Sequence, residues 1–423
     1  MTDVASTSLV RPAEQAREPR AFLATLTMAN FGIYFALLTP AMVGLAYKVQ
    51  SLVGTEAAAG PLGLVAGVGA LFALLCNPLF GRLSDRTTSR FGRRRPWLVG
   101  GAVVGLGALT LIGAASSIPV VLVGWCLAQA SLNATLAAVN ATLPDQVPPA
   151  RRGVYSGAVG VAMPLAILTG TVLVAAVPGM MLRFVVPGLV CLGLSVLFAL
   201  TLPDRPLAAK PSDSFSVRDF FGSFYFNPRR HPDFGWAWLT KFLVMFGYAG
   251  VATWLPFYLQ SAFGQTARES ATTIATAQAA ATAGMLLSAP LGGIVSDRIG
   301  KRRPLVTLAG GIMVVGLLLI AFASSPGVVV AGQAIIGVGA GAFLSVDLAL
   351  ATQVLPNSQD TAKDLGVLNM ANALPQSLAP AIAPAIIAFG ASTPLGGYPT
   401  WYLFGTVVAA LGALLVYRIK GVA

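Results

Sequence analysis

The chain has 423 residues, of which 56% are hydrophobic and only 10% charged. Soluble domains carry about 25% charged residues, so this composition excludes a pair of water-soluble domains and points to a membrane protein. The net charge of +12 is distributed over alternate loops rather than gathered in one patch, which argues against a nucleic-acid role.

A bilayer core about 30 Å thick takes roughly 20 apolar residues at 1.5 Å each. Residues 1–20 are polar and contain no short apolar region ending in a small-residue cleavage site. They read as a cytoplasmic tail, with the first span as its own uncleaved signal. Six spans follow at 21–47, 58–82, 97–115, 119–143, 153–177 and 180–202, making an N-terminal bundle over 21–203. Residues 204–233 form a linker in which Phe215, Phe220, Phe221, Phe224 and Tyr225 mark either an interfacial amphipathic helix or a loop folded onto helix ends. His231, the only histidine, reads as a solvated linker residue. Six more spans are expected at 234–260, 270–292, 304–323, 327–350, 365–390 and 398–419, giving a C-terminal bundle over 234–423.

With both termini cytoplasmic, 24 of the 27 Lys and Arg residues fall on the inner side, Lys241 among them, and only Lys48, Arg183 and Arg268 outside. The rule that basic residues stay cytoplasmic therefore sets the orientation and predicts contact with an anionic inner leaflet of the cell membrane. The 46 glycines and 28 prolines suit packed membrane helices, and the GxxxG spacings Gly63–Gly67, Gly101–Gly105 and Gly153–Gly157 read as close helix contacts. Cys76, Cys126 and Cys191 all lie in apolar runs and read as core residues.

The loop after the second span reads "GRLSDRTTSRFGRRRPW", and the loop after the eighth reads "GGIVSDRIGKRRP". Aligning Asp85 with Asp297 gives an offset of 212 residues, about half the chain, and sets Pro78 opposite Pro290. Two six-helix halves related by such a repeat are the build of a secondary transporter with its solute site where the halves meet.

The pattern G-x-x-x-D-R followed by G-(R/K)-R-R, in both halves of a twelve-span chain, resembles the signature loop of the major facilitator superfamily. The fold expected is therefore all-α and integral to the membrane, with twelve helices as two six-helix pseudo-repeats. "SDRTTSRFGRRRPW", "LLTP" at 37–40 and "AKDLGVLNMANALPQ" at 362–376 are similar to the sucrose-carrier branch and the related glycoside-pentoside-hexuronide cation symporters. That resemblance implies a sugar-like solute and a coupling proton or monovalent cation, in a monomer.

It also implies a gating role for Asp85, Arg86, Gly92, Arg93, Arg94 and Arg95, and for Asp297, Arg298, Lys301, Arg302 and Arg303. Physically, an aspartate at a helix end accepts hydrogen bonds from the N-terminus of a neighbouring helix, and arginines supply charge-assisted partners. Arg82 and Arg90 read as topology determinants alone.

Asp347 is the only acid well inside a predicted span. An acid at depth is expensive and faces the bundle interior with a partner. It is either a coupling site or the fixed partner of Arg302, Arg303 or Lys241. Proton-coupled sucrose carriers place an acid in the fourth span where this chain has Gln129, and glutamine does not titrate. In this fold spans one, four, seven and ten line the central path. Their mid-depth polar residues are Asn30, Tyr34, Gln129, Asn133, Tyr248, Gln333 and Ser345; Gln278 of span eight and Asn369, Asn372 and Gln376 of span eleven join them. Aromatics and amides suit a neutral sugar. The alternatives are an exporter of an apolar or amphiphilic metabolite and an uncoupled facilitator. No phosphate-binding loop, metal-ligand cluster or activated nucleophile is legible, so no enzyme, cofactor or metal is expected.

Overall fold

The structure, a computed structural model, describes residues 21–147, 155, 158–204, 228–354 and 361–420. Among them twelve helices are long and apolar enough to cross a membrane. They are α1 (Phe22–Val53), α2 (Ala59–Asp85), α3 (Arg95–Ala114), α4 (Ile118–Gln146), α5 (Ala162–Ala176) and α6 (Met180–Thr201) in the first half. The second half holds α7 (Pro232–Phe263), α8 (Ala267–Ile299), α9 (Arg302–Ala321), α10 (Pro326–Gln353), α11 (Thr361–Ala391) and α12 (Gly397–Leu415). Most of the expected linker, with its aromatic run, lies outside the described residues, as do Gly153 and Gly157 and the side chains of Asp297 and Asn369.

Local chemistry sets the helix ends. Pro96 and Pro119 occupy the first turns of α3 and α4, where a missing N–H costs nothing. The Thr266 hydroxyl accepts from the Glu269 backbone N–H while the Glu269 carboxylate accepts from the Thr266 N–H, a reciprocal cap that starts α8. Gly300, at φ +67°, ends that helix in the left-handed region.

The first helix of each half is broken near its middle. In α1 the backbone widens into a π-turn over Pro40–Gly44, because Pro40 supplies no N–H and its ring crowds the preceding turn. In α7 the break falls at Gly250, whose carbonyl accepts from Trp401 Nε1 at 3.2 Å; the same indole would overlap a Cβ at this position.

Between the halves α2 lies along α11 and α5 along α8. Under a six-helix repeat α2 corresponds to α8 and α5 to α11, so these are one contact made twice. The repeat holds at single residues. In the α2–α4 crossing the Trp125 ring lies where a Cβ on Gly69 would be; 212 residues on, a Cβ on Gly337 would overlap the Ala281 backbone. Gly101 and Gly105 bring α3 against Ser131, Leu132 and Thr135 of α4, and Gly63 meets Pro380 and Pro384 of α11. Leu64, Leu71, Phe72 and Leu75 of α2 and Leu287, Leu291 and Ile294 of α8 form exposed apolar faces suited to hydrocarbon.

The charged loops collect at one end of the bundle. At the opposite, far end polar contacts tie the halves together. The Tyr47 and Ser270 hydroxyls are 2.7 Å apart, and Gln50 Nε2 donates to Gln260 Oε1 at 2.6 Å.

Candidate functional site

At the charged end, Arg94 begins α3 with its side chain only 4% exposed. All three of its guanidinium nitrogens are engaged: Nη1 donates to Ser84 Oγ at 2.9 Å, Nη2 to Asp85 Oδ1, and Nε to Asp145 Oδ2 at 3.1 Å. Arg93 adds a second contact to Asp145, at 2.7 Å. The ends of α2, α3 and α4 are thus joined through one planar cation, a geometry that a lysine ammonium does not reproduce.

The acid expected to accept from a helix N-terminus is not Asp85, which takes the guanidinium instead. That position belongs to Asp204, just past α6, whose Oδ2 accepts from the backbone N–H groups of Arg94 at 2.7 Å and Arg95 at 2.9 Å. The N–H groups of Arg94 and Arg95, which have no partner within the helix, and the helix dipole make the start of α3 favourable for an anion. Gly92, at φ +103°, leaves room for that carboxylate; a Cβ there would overlap it. Arg95 Nη2 donates to Leu202 O at 2.6 Å. Arg86 is half-buried beside the cluster.

The second copy repeats part of this design. Gly300 matches Gly92 in its positive φ. Arg303 Nη2 donates to Lys420 O at 2.8 Å, the counterpart of the Arg95 bond to the end of α6. Lys301 holds the N-cap position of α9 and is exposed, as is Arg298, while Arg302 is half-buried. His231 is half-buried at the N-cap of α7, and its carbonyl accepts from Gly235.

Of the partners open to Asp347, the structure selects Lys241: Nζ lies 2.8 Å from Oδ2, with the two side chains 6% and 5% exposed. Lys241 therefore belongs to the core of α7 and leaves the tally of inner-side loop charges. Lys48 leaves the outer tally in the same way, being buried with its ammonium donating to Gly113 O at 2.8 Å.

Among the mid-depth polar residues, Gln129 and Asn133 are brought together. Asn133 Nδ2 donates to Gln129 O at 2.8 Å and to Gln129 Oε1 at 3.1 Å, and Asn77 Nδ2 of α2 donates to Asn133 Oδ1 at 3.2 Å. Asn77 escaped the sequence reading, although it is the only amide in α2 and directly precedes Pro78. Asn30 is buried, its Nδ2 donating to Leu26 O and its Oδ1 unpartnered; Asn372 also has a buried, unpartnered Oδ1. Tyr34 and Tyr248 are half-buried and Gln333 is buried. Gln278 bonds Thr282 within its own helix at 3.4 Å, Ser345 bonds Ala342 O within its own at 2.9 Å, and Gln376 is exposed.

A family model described as Major Facilitator Superfamily matches residues 20–281 and 265–421. The chain belongs to the major facilitator superfamily. It is accordingly a multi-pass membrane protein of a transporter superfamily. Solved structures of this superfamily share its fold. A mutant of the nucleoside transporter NupG superposes with a TM-score of 0.74 at 14% identity, over 94% of this chain and 100% of that one. The human organic anion transporter MFSD10 gives 0.67 at 18% identity, over 94% and 99%.

Sequence relatives match in shorter pieces. The chain is 46% identical over 57 residues to a sucrose transport protein of Arabidopsis thaliana, which is 14% of this chain and 10% of that protein. It is 49% identical over 41 residues to an uncharacterized symporter of Synechocystis sp., which is 10% and 8%. It is 32% identical over 159 residues to the cis,cis-muconate transport protein of Acinetobacter baylyi, which is 37% and 35%. The matched segments thus span about a third or less of each of these relatives.

Proposed function

We propose that this major facilitator protein carries a neutral, hydroxyl-rich, sugar-like solute across the cell membrane by alternating access, with its charged end and both termini cytoplasmic. The observation that carries the reading is the pairing of Lys241 with Asp347 inside the bundle. With that pair self-compensated, amides and tyrosines dominate the polar set at mid-depth, and such groups exchange hydrogen bonds with hydroxyls without demanding a charge on the solute. The short sucrose-transporter similarity points the same way. The orientation rests on the positive-inside bias of the loops.

Transport is inward and driven by a proton or monovalent-cation gradient, with Asp347 as the coupling acid when Lys241 releases it. The loop clusters around Asp85 and Asp297 work as the cytoplasmic gate. A second reading, transport of a dicarboxylate, draws on the partial match to the muconate protein; it requires a cation to meet the solute, and in this conformation Lys241 is held by Asp347.

The test is exchange in proteoliposomes loaded with unlabelled solute, using radiolabelled sucrose, maltose, sorbitol and cis,cis-muconate as external probes. Exchange of a hydroxylated probe supports the reading. Exchange of muconate alone replaces it with the dicarboxylate reading, and exchange of none favours an apolar solute.

A further inference from the structure

The α2–α4 crossing carries polarity that its counterpart in the other half does without. By the 212-residue offset, Asn77, Gln129 and Asn133 stand where the second half has Ala289, Gly341 and Ser345. There the crossing closes on small residues. A Cβ on Gly341 would run into Ser288 and the Met285 backbone, and one on Gly292 into Ser345 and Ala342. A crossing of this geometry therefore packs well with no amide at all. Three amides in an apolar interior cost free energy unless each polar atom is used, so their presence in one half only is not a packing requirement.

The ladder they form has a direction. Asn77 Nδ2 donates to Asn133 Oδ1, and Asn133 Nδ2 donates to Gln129 Oε1. This consumes the middle of the chain and leaves Asn77 Oδ1 as an acceptor, with both N–H groups of Gln129 Nε2 and the second N–H of Asn77 Nδ2 as donors, none with a protein partner among the described residues. A carboxylate only accepts and an ammonium only donates, whereas a hydroxyl does both. A site offering an acceptor beside N–H donors is matched by hydroxyls, which use both.

We propose that Asn77 is a specificity-determining residue that, with Gln129, reads hydroxyl groups of the solute; this rests on the sugar-like reading above. A site built to bond a hydroxyl rejects the analogue lacking it, because its own polar groups are then left unpaired.

The experiment measures exchange affinity for whichever of sucrose and maltose exchanges better, and for its monodeoxy derivatives, in wild type, Asn77→Ala and Asn77→Ser. Alanine is what the counterpart position carries, and serine retains a hydroxyl should alanine fail to fold. Wild type is expected to bind at least one deoxy derivative about tenfold more weakly than the parent sugar. Asn77→Ala lowers that ratio to about twofold or less at unchanged melting temperature, and Asn77→Ser keeps part of it. A uniform loss of affinity with the ratio intact is a packing effect and overturns the proposal. Unchanged ratios in both Asn77 variants overturn it while leaving the solute class standing. Wild type that exchanges neither sugar nor sorbitol overturns the class and this proposal together.

Discussion

Lys241 of α7 and Asp347 of α10 meet 2.8 Å apart, each almost wholly buried, about 9–14 Å along their helices from the charged end. Removing one partner leaves an uncompensated charge in a low-dielectric interior. Lys241→Met and Asp347→Asn are each expected to destabilise by about 3–5 kcal/mol, while the double variant recovers most of that. If Asp347 also couples, the double variant equilibrates solute without accumulating it. Melting temperatures in detergent, set beside exchange and uphill uptake, check both statements.

Arg94 spends its fork on three groups of the first half, so Arg94→Lys is expected to cut transport at least tenfold at matched membrane abundance. Arg90, which lies over the Phe91 ring with its centre 4.8 Å from the ring centroid, joins no helices, and Arg90→Ala should stay near wild-type uptake. Asp85→Asn, which weakens one arm of the fork, is expected to impair uptake while leaving insertion intact.

Gly92 and Asp204 form one device. Asp204→Ala removes the cap of α3 and should cost about 1 kcal/mol; Gly92→Ala adds backbone strain of about 1–3 kcal/mol and displaces the same carboxylate. The double variant should be less destabilised than the sum of the two, since they share a partner. Thermal unfolding of the three variants reads this directly.

At the far end, Gln50 with Gln260 and Tyr47 with Ser270 join the halves. Cysteines at 50 and 260, bridged through two disulfides by a short bis-methanethiosulfonate in a background lacking Cys76, Cys126 and Cys191, should stop transport. Reductive release of the bridge should restore it. Continued transport by the bridged protein would show that this end need not open.

The spans were legible because hydropathy sums over some 20 residues, and a boundary error of a few residues does not alter the count. The internal repeat was legible because Asp85 and Asp297 sit in matching motifs. What escaped was pairing across helices. Lys241 was counted with the inner-side charges and stood as one of three cations open to Asp347, and only the packing of α7 against α10 selects it across 106 residues of sequence. Asp204 read as linker, although it caps a helix that begins 109 residues earlier. Asn77 was passed over because a lone amide in an apolar run acquires meaning only when α4 is laid beside it. The π-turn at Pro40–Gly44 is likewise a tertiary outcome: a proline in a helix signals a bend but not which way the backbone resolves it.

The most direct measurement is uptake of radiolabelled sucrose and maltose into proteoliposomes holding the wild-type protein, with and without an inward proton gradient. Accumulation of either sugar above its external concentration, only when the gradient is present, is the expected result. Equilibration that ignores the gradient would contradict coupling, and no uptake of either sugar under any gradient would contradict the sugar assignment itself.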